Sequence, residues 1–215
     1  MQLVLPVEAL ILDIGNVICD WNPVKLAQMS FPGSGEPDGN AMREVINVTV
    51  GHPDWLELDR GVLTRDAAIK NAQQRTSIDG RWIESLYRKM PESLTLLPDT
   101  SLAMELARDA GLPIYILSNM PSDAGDYLFN KHGCFTWIRH AVLSCDCNLL
   151  KPDPAIYHHL IDTCGLTPQH SVFLDDMAEN VVAARECGLQ SFQVVDTSSA
   201  GDMIRHIVET RSGDA

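Results

Sequence analysis

The sequence predicts an α/β fold built on a parallel sheet, with a small all-helical module inserted after the first strand. Three observations predict it. From about Leu94 onward, short apolar runs alternate with amphipathic segments, the pattern of successive strand–helix units. The runs are rich in β-branched or aromatic residues and lack polar alternation, which suits strands buried on both faces. Between about Asp20 and Pro98 the texture changes to helical periodicity with almost no strand signal.

Taken in order, the first strand is Leu10-Ile11-Leu12, which ends in Asp13 and runs straight into the turn Ile14-Gly15-Asn16-Val17. Periodicity then predicts helices over 23–30, 38–49, 53–59, 64–75 and 80–90, with a breaker-rich loop at 31–37. Thr64 stands where a hydroxyl caps the first turn of its helix. The later strands are 113–118, 141–144, 171–175 and 191–195, and the helices between and after them are 99–110, 122–132, 154–164, 178–187 and 200–210. Gly111, Gly133, Gly165 and Gly188 follow helices where a left-handed cap residue is wanted. Parallel strands joined in this way require right-handed crossovers. Residues 1–19 and 95–215 are therefore assigned to the sheet-bearing core and 20–94 to the helical module. An insertion at that point lies above the end of the first strand, a position suited to substrate selection and water exclusion.

Composition narrows the function. The chain has 215 residues and a net charge of −13, with acidic residues distributed rather than gathered in a tail. With no basic stripe, nonspecific nucleic-acid binding is not expected. A negative surface also repels phosphorylated ligands at long range, so any phosphate site needs a local metal or lysine. No apolar run is long enough to span a membrane. Residues 1–9 carry Glu8 and no basic start, so they do not read as a signal peptide. The six cysteines lack zinc-ligand spacing and read as free thiols, which fits a cytoplasmic location. The oligomeric state is not written in the sequence.

Four polar signals fall at the ends of predicted strands or just beyond them. Asp13 ends the first, Ser118-Asn119 the second, Lys151 follows the third, and Asp175-Asp176 ends the fourth with Asn180 on the next helix. Parallel strands bring all four groups to one edge of the sheet, where α/β folds bind their ligands. Facing carboxylates repel unless a cation lies between them, and oxygen-only ligands suit magnesium beside a phosphate. Lys151 supplies a second positive charge, and Ser118 and Asn119 supply donors for phosphate oxygens. Such an arrangement suits phosphoryl transfer, in which positioning and charge neutralisation do most of the catalysis.

Asp13-Ile14-Gly15-Asn16-Val17, Leu117-Ser118-Asn119, Lys151-Pro152 and Phe173-Leu174-Asp175-Asp176 with Asn180 resemble the four ordered motifs of the haloacid dehalogenase-like hydrolases. Asp20-Trp21-Asn22-Pro23 and Leu58-Asp59-Arg60-Gly61-Val62-Leu63-Thr64 are similar to the subgroup containing bacterial α-glucose-1-phosphate phosphatase and the N-terminal phosphatase domain of soluble epoxide hydrolase. The resemblance implies a Rossmann-like parallel sheet sandwiched by helices, with a small helical cap. It implies Asp13 as nucleophile, forming an aspartyl-phosphate that water hydrolyses. Mg²⁺ would be held by Asp13, the Gly15 carbonyl and Asp176, with Asp175 close by or acting through water. Ser118, Asn119 and Lys151 carry over as phosphate-binding groups, and Asn180 as a residue that fixes the loop. The implied substrate is a small phosphorylated metabolite such as a sugar phosphate.

Two positions depart from the pattern. Most phosphatases of the superfamily carry an Asp two residues after the nucleophile as general acid, and here that position is Gly15. This favours comparatively acidic leaving groups, or proton donation by substrate or water. Asn148 stands where relatives commonly have glycine, a mild change because Asn tolerates the left-handed turn. Two other readings are weighed: a metal-independent 2-haloacid dehalogenase, which the Asp175-Asp176 pair opposes, and a catalytically weak protein that binds phosphorylated ligands. Trp21, Trp55, Trp82 and Tyr87 are expected to pack the module or stack on substrate, with His52 and Arg60 as polar candidates for substrate contact.

Overall fold

The computed structural model describes residues 1–211; the last four residues of the predicted core lie outside the described residues. The strands are β1 (Ala9–Leu12), β2 (Cys19–Asp20), β3 (Thr95–Leu96), β4 (Ile114–Ser118), β5 (Ile138–Leu143), β6 (Ser171–Asp175) and β7 (Gln190–Gln193). Between β2 and β3 lie α1 (Pro23–Ser30), α2 (Gly39–Val48), α3 (Pro53–Asp59), α4 (Arg65–Gln73) and α5 (Gly80–Ser93). The remaining α-helices are α6 (Pro98–Asp109), α7 (Ser122–Lys131), the single turn α8 (Ser144–Cys147), α9 (Pro154–Cys164), α10 (Ala178–Glu186) and α11 (Ser199–Thr210). No helix among the described residues is long and apolar enough to cross a membrane.

Five strands form a parallel sheet in the order β5-β4-β1-β6-β7. β1 is central, and its register sets Leu10 beside Ile114 and Val172, and Leu12 beside Ile116 and Leu174. Its alternation divides the core. Leu10 and Leu12 point to the face covered by α6, α7 and α11, while Ala9 and Ile11 point with Phe173 toward α9 and α10. This two-sided burial is why the strands read as unbroken apolar runs. The chain leaves β1 for strands on one side and returns through β6 on the other. β1 therefore marks the switch in strand order, beyond whose carboxyl end α/β sheets bind ligands.

The helical module shares the first of these apolar clusters through Leu26, Val45, Trp55, Leu58, Ile83 and Leu86. Its entry and exit strands, β2 and β3, pair antiparallel, with Cys19 opposite Leu96. That ribbon has two residues per strand, too short to leave a periodic signal, and it was not anticipated.

Other differences are local. α5 continues through Pro91 to Ser93, because a proline in the last turn forfeits only one backbone bond. Gly133 does not cap α7 in the left-handed conformation; His132 is extended there, and residues Gly133–Trp137 form a 3₁₀ helix. Gly111, Gly165 and Gly188 do take positive φ. Asn148 adopts φ 59°, the left-handed geometry expected of it.

Candidate active site

The site is built on the ends of β1, β4 and β6 and on the loop between α8 and α9. Each strand buries its apolar residues and then releases a polar one at its carboxyl end. Asp13 extends the β1 ladder through its N–H to the Leu174 carbonyl at 3.0 Å. Ser118 and Asp175 are the last residues of β4 and β6. Asp13, Ser118, Lys151, Asp175 and Asn180 are all buried, and Asp176 is half-buried.

Lys151 holds the centre. Its ammonium lies 2.6 Å from Asp175 Oδ2 and 2.8 Å from Asp13 Oδ1, and it donates to the Leu117 carbonyl at 2.9 Å. Burial alone would pull the lysine pKa down, but the two carboxylates overcome that and hold it above the ordinary lysine range. Asn119 braces the lysine backbone, its amide donating to the Lys151 carbonyl and its oxygen accepting from the Lys151 N–H, each at 2.9 Å. One amide hydrogen of Asn119 therefore remains for an anion. Asn180 Nδ2 donates to both oxygens of Asp175, at 3.0 and 3.1 Å, and Asp175 Oδ1 also accepts from the Met177 N–H. Asp175 is thus fixed against Lys151 on every side.

Carboxylate oxygens of Asp13, Asp175 and Asp176 lie within 4.8 Å of one another. Burial pushes Asp13 up to about 6 against the opposing pull of Lys151, and burial likewise raises Asp176. Three carboxylates and one lysine leave two uncompensated negative charges. Asp13 Oδ1 is buried and lacks an aligned hydrogen-bond donor despite its proximity to Lys151. A divalent cation with oxygen preference fits both facts. Asp13, Asp176 and the backbone carbonyl of Gly15, which lines the same cavity, are the groups able to hold it.

Asn16 was not singled out from the sequence. It sits at φ 55°, donates from Nδ2 to Asp176 Oδ2 at 2.9 Å and accepts from the Trp21 N–H at 3.0 Å. It ties the first turn to the second carboxylate. The sequence carried it only inside the motif Asp13-Ile14-Gly15-Asn16-Val17, with no role of its own; its place after Gly15, where Asn tolerates αL, is a further signal.

A cavity of about 190 Å³ joins these groups to the helical module. Its lining adds Trp21, Trp55, Asp59, Met90, Leu94, Met120 and Met177 to the polar set. The aromatics divide: Trp21 and Trp55 line the cavity with ring centroids 6.0 Å apart, while Trp82 and Tyr87 are core. Neither His52 nor Arg60 is among the lining residues. His52 caps α3 by accepting from the Asp54 N–H, and Arg60 lies beside Glu57. Both were candidates for substrate contact, with solvated surface as the commoner fate of such residues, and they take that fate: polarity is legible in sequence, whereas the direction a side chain faces is not.

The module is fastened to the core beside this cavity. Ser144 Oγ donates to the Asp59 carbonyl at 2.5 Å and accepts from the Met120 N–H at 2.9 Å; Asn148 Nδ2 donates to the Arg60 carbonyl at 2.8 Å. Arg65 pairs with Asp123 of α7. Gly61 adopts φ +79°, and a Cβ there would meet the Cys145 carbonyl oxygen at 2.6 Å. Gly61→Ala is accordingly expected to lower stability by about 1–3 kcal/mol in denaturant melts and to weaken activity by shifting the docked loop.

The model for haloacid dehalogenase-like hydrolases matches residues 7–188, from just before β1 to just past the end of α10. The chain belongs to this family. It is a hydrolase whose relatives include phosphatases. It is 24% identical over 204 residues to the sesquiterpene phosphatase of Aspergillus oryzae, covering 94% of this chain and 96% of that one. A solved dehalogenase structure superposes with a TM-score of 0.70 at 18% identity, covering 89% and 86% of the two chains. A variant of a family enzyme from Bacteroides thetaiotaomicron, in complex with magnesium and inorganic phosphate, gives a TM-score of 0.67 at 15% identity, covering 87% and 93%. At such identities the two structures speak for the fold. They bear out the Rossmann-like α/β architecture expected of the family.

Proposed function

We propose that this family member is a magnesium-dependent phosphatase that hydrolyses a small phosphomonoester through an aspartyl-phosphate on Asp13. The observation that carries the reading is the clustered set Asp13, Lys151, Asp175 and Asp176, two charges short of neutrality and with a buried carboxylate oxygen left without a donor. A dehalogenase attacking carbon needs no such cation. The phosphatase relative adds support.

In this mechanism Asp13 attacks phosphorus in line with the leaving oxygen, and water then releases phosphate from the acyl phosphate. Lys151 donates to the phosphoryl oxygens, aided by the Ser118 hydroxyl and the free amide hydrogen of Asn119. Asp13, Asp176 and the Gly15 carbonyl would hold magnesium, which would supply charge neutralisation for the attack on phosphorus. Asp175 and Asn180 keep Lys151 in register, and Asn16 does so for Asp176.

The cavity supports a compact leaving group. Its volume of about 190 Å³ falls below the roughly 300–1,000 Å³ of pockets for drug-sized ligands. Away from the phosphate end the lining is mostly apolar, from Trp21, Trp55, Met90, Leu94 and Met120, with Asp59 as the polar exception. An apolar or aromatic alcohol matches this lining better than a sugar, whose hydroxyls would find few partners.

Complete removal of divalent ions with EDTA is expected to abolish phosphate release from a panel of aryl, alkyl and sugar phosphates, and magnesium to restore it. Turnover that survives metal removal, or chloride release from 2-haloacids, would favour the dehalogenase reading instead.

A further inference from the structure

Gly15 removes the usual proton donor from the nucleophile loop, so the departing alkoxide needs another source of its proton. We propose that Asp59, contributed by the helical module, is the general acid that protonates the leaving group. The proposal rests on the phosphatase reading above and names a residue that the reading does not use.

Three observations carry it. First, Asp59 lines the same cavity as Asp13 and Lys151, yet its residue is only 6% exposed. Second, its Oδ1 is buried without a hydrogen-bond partner, a state in which a carboxylate is not tolerated but a carboxylic acid is. Third, its backbone is anchored: Ser144 binds its carbonyl, and Gly61 allows the following turn to press on Cys145. The module thereby fixes the backbone of this residue in the wall of the cavity that Asp13 and Lys151 also line, and a fixed donor is what proton transfer requires.

The surroundings agree with a neutral acid. Burial pushes Asp59 up to about 8, and the Arg65 guanidinium of α4 only partly opposes it. Arg65 is itself paired with Asp123. From α5, Tyr87 presents a hydroxyl pushed up to about 12 by its own burial, so it adds no charge at neutral pH. From the core, Ser144 adds none. Asp59 also ends α3, where the helix carbonyls disfavour a second negative charge.

The step balances. Asp13 forms a bond to phosphorus as the bond from phosphorus to the leaving oxygen breaks, and the Asp59 proton moves to that oxygen to give the free alcohol. The Asp59 carboxylate then takes a proton from the water that attacks the aspartyl-phosphate. Inorganic phosphate leaves, Asp13 returns as carboxylate and Asp59 is again protonated.

The experiment compares p-nitrophenyl phosphate, whose phenolate departs without a proton, with benzyl phosphate, whose alkoxide does not. In Asp59→Asn, kcat/KM for benzyl phosphate is expected to fall by about 10²–10⁴-fold, and far more than for p-nitrophenyl phosphate, so that the ratio of the two rises at least about 30-fold. Asp59→Glu should recover part of the benzyl phosphate rate. Residual p-nitrophenyl phosphate turnover and near-UV circular dichroism report that the variant has folded. Independently, the ¹³C carboxyl resonance absent from the Asp59→Asn spectrum should titrate near 8 in the wild-type protein. Equal losses on both substrates, no loss on either, or a titration in the ordinary carboxylate range would overturn the role of Asp59 and leave the phosphatase reading intact. Retention of both activities by Asp13→Asn would overturn the reading itself, and the proposal with it.

Discussion

Asp13→Asn is expected to lower phosphate release by at least about 10⁴-fold, because the amide cannot form the acyl phosphate on which the reaction depends. The change is nearly isosteric, and the fold should survive it. The ladder bond from the residue 13 N–H to Leu174 is made by the backbone and does not depend on the side chain. Lys151 keeps Asp175 as a partner at 2.6 Å, and a neutral amide escapes the desolvation cost that a carboxylate bears at this buried position. Stability is therefore expected to hold while activity vanishes, a separation readable by comparing denaturant melts with turnover. Acid quenching of the wild-type enzyme with labelled substrate should leave label on the protein, and the variant should carry none. A variant that still turned over at the wild-type rate would remove Asp13 from the mechanism.

Lys151→Met is expected to do the reverse as well as the same: to stop turnover and also to damage the fold. The lysine ammonium sits between Asp13 at 2.8 Å and Asp175 at 2.6 Å, and both carboxylates are out of water. Methionine fills the space but leaves them uncompensated, and stripping one partner from a buried pair costs about 3–5 kcal/mol. For a chain of this size that corresponds to roughly 6–20 °C in Tm. The pH dependence has a definite sign. Asp13 titrates at about 6 in the folded protein against an ordinary 3.8, and the loss of Lys151 raises it further. A group whose folded pKa is raised contributes most below its unfolded pKa and loses that contribution as pH rises through the folded one. The gap between wild type and variant should thus be smallest near pH 4 and widen through pH 6 to 7. Melts in EDTA at pH 4.5 and pH 7.5 check it; a gap independent of pH would mean that packing, not charge, carries the loss.

Much of this was legible because it is local. A strand buried on both faces must be written as a continuous apolar run, and the residue that ends it must be polar to meet the ligand edge of the sheet. Leu10-Ile11-Leu12-Asp13 and Val172-Phe173-Leu174-Asp175 show both halves of that rule. Helix ends were readable where the cap is chemical, as at Thr64, whose hydroxyl accepts from the Ala67 N–H. They failed where the cap is conformational, as at Gly133.

Asp59 illustrates what was not legible. In Leu56-Glu57-Leu58-Asp59-Arg60 it is one more charge at the end of a short amphipathic helix, and such residues are usually solvated. Its burial depends on Ser144 reaching its carbonyl from 85 positions away. Likewise, nothing near Trp21 or Trp55 separates them from Trp82, yet only the first two face the cavity.

The amino-acid sequence by itself determined the parallel sheet, the order of its polar strand ends and the loss of an acid at Gly15, since periodicity and strand termini are properties of neighbouring residues. Only the tertiary structure decided which side chains share the cavity, that Lys151 is locked between two carboxylates, and that the module lends the site a buried Asp59. Those outcomes follow from desolvation and from distances between residues far apart in the chain, and neither quantity exists until the chain has folded.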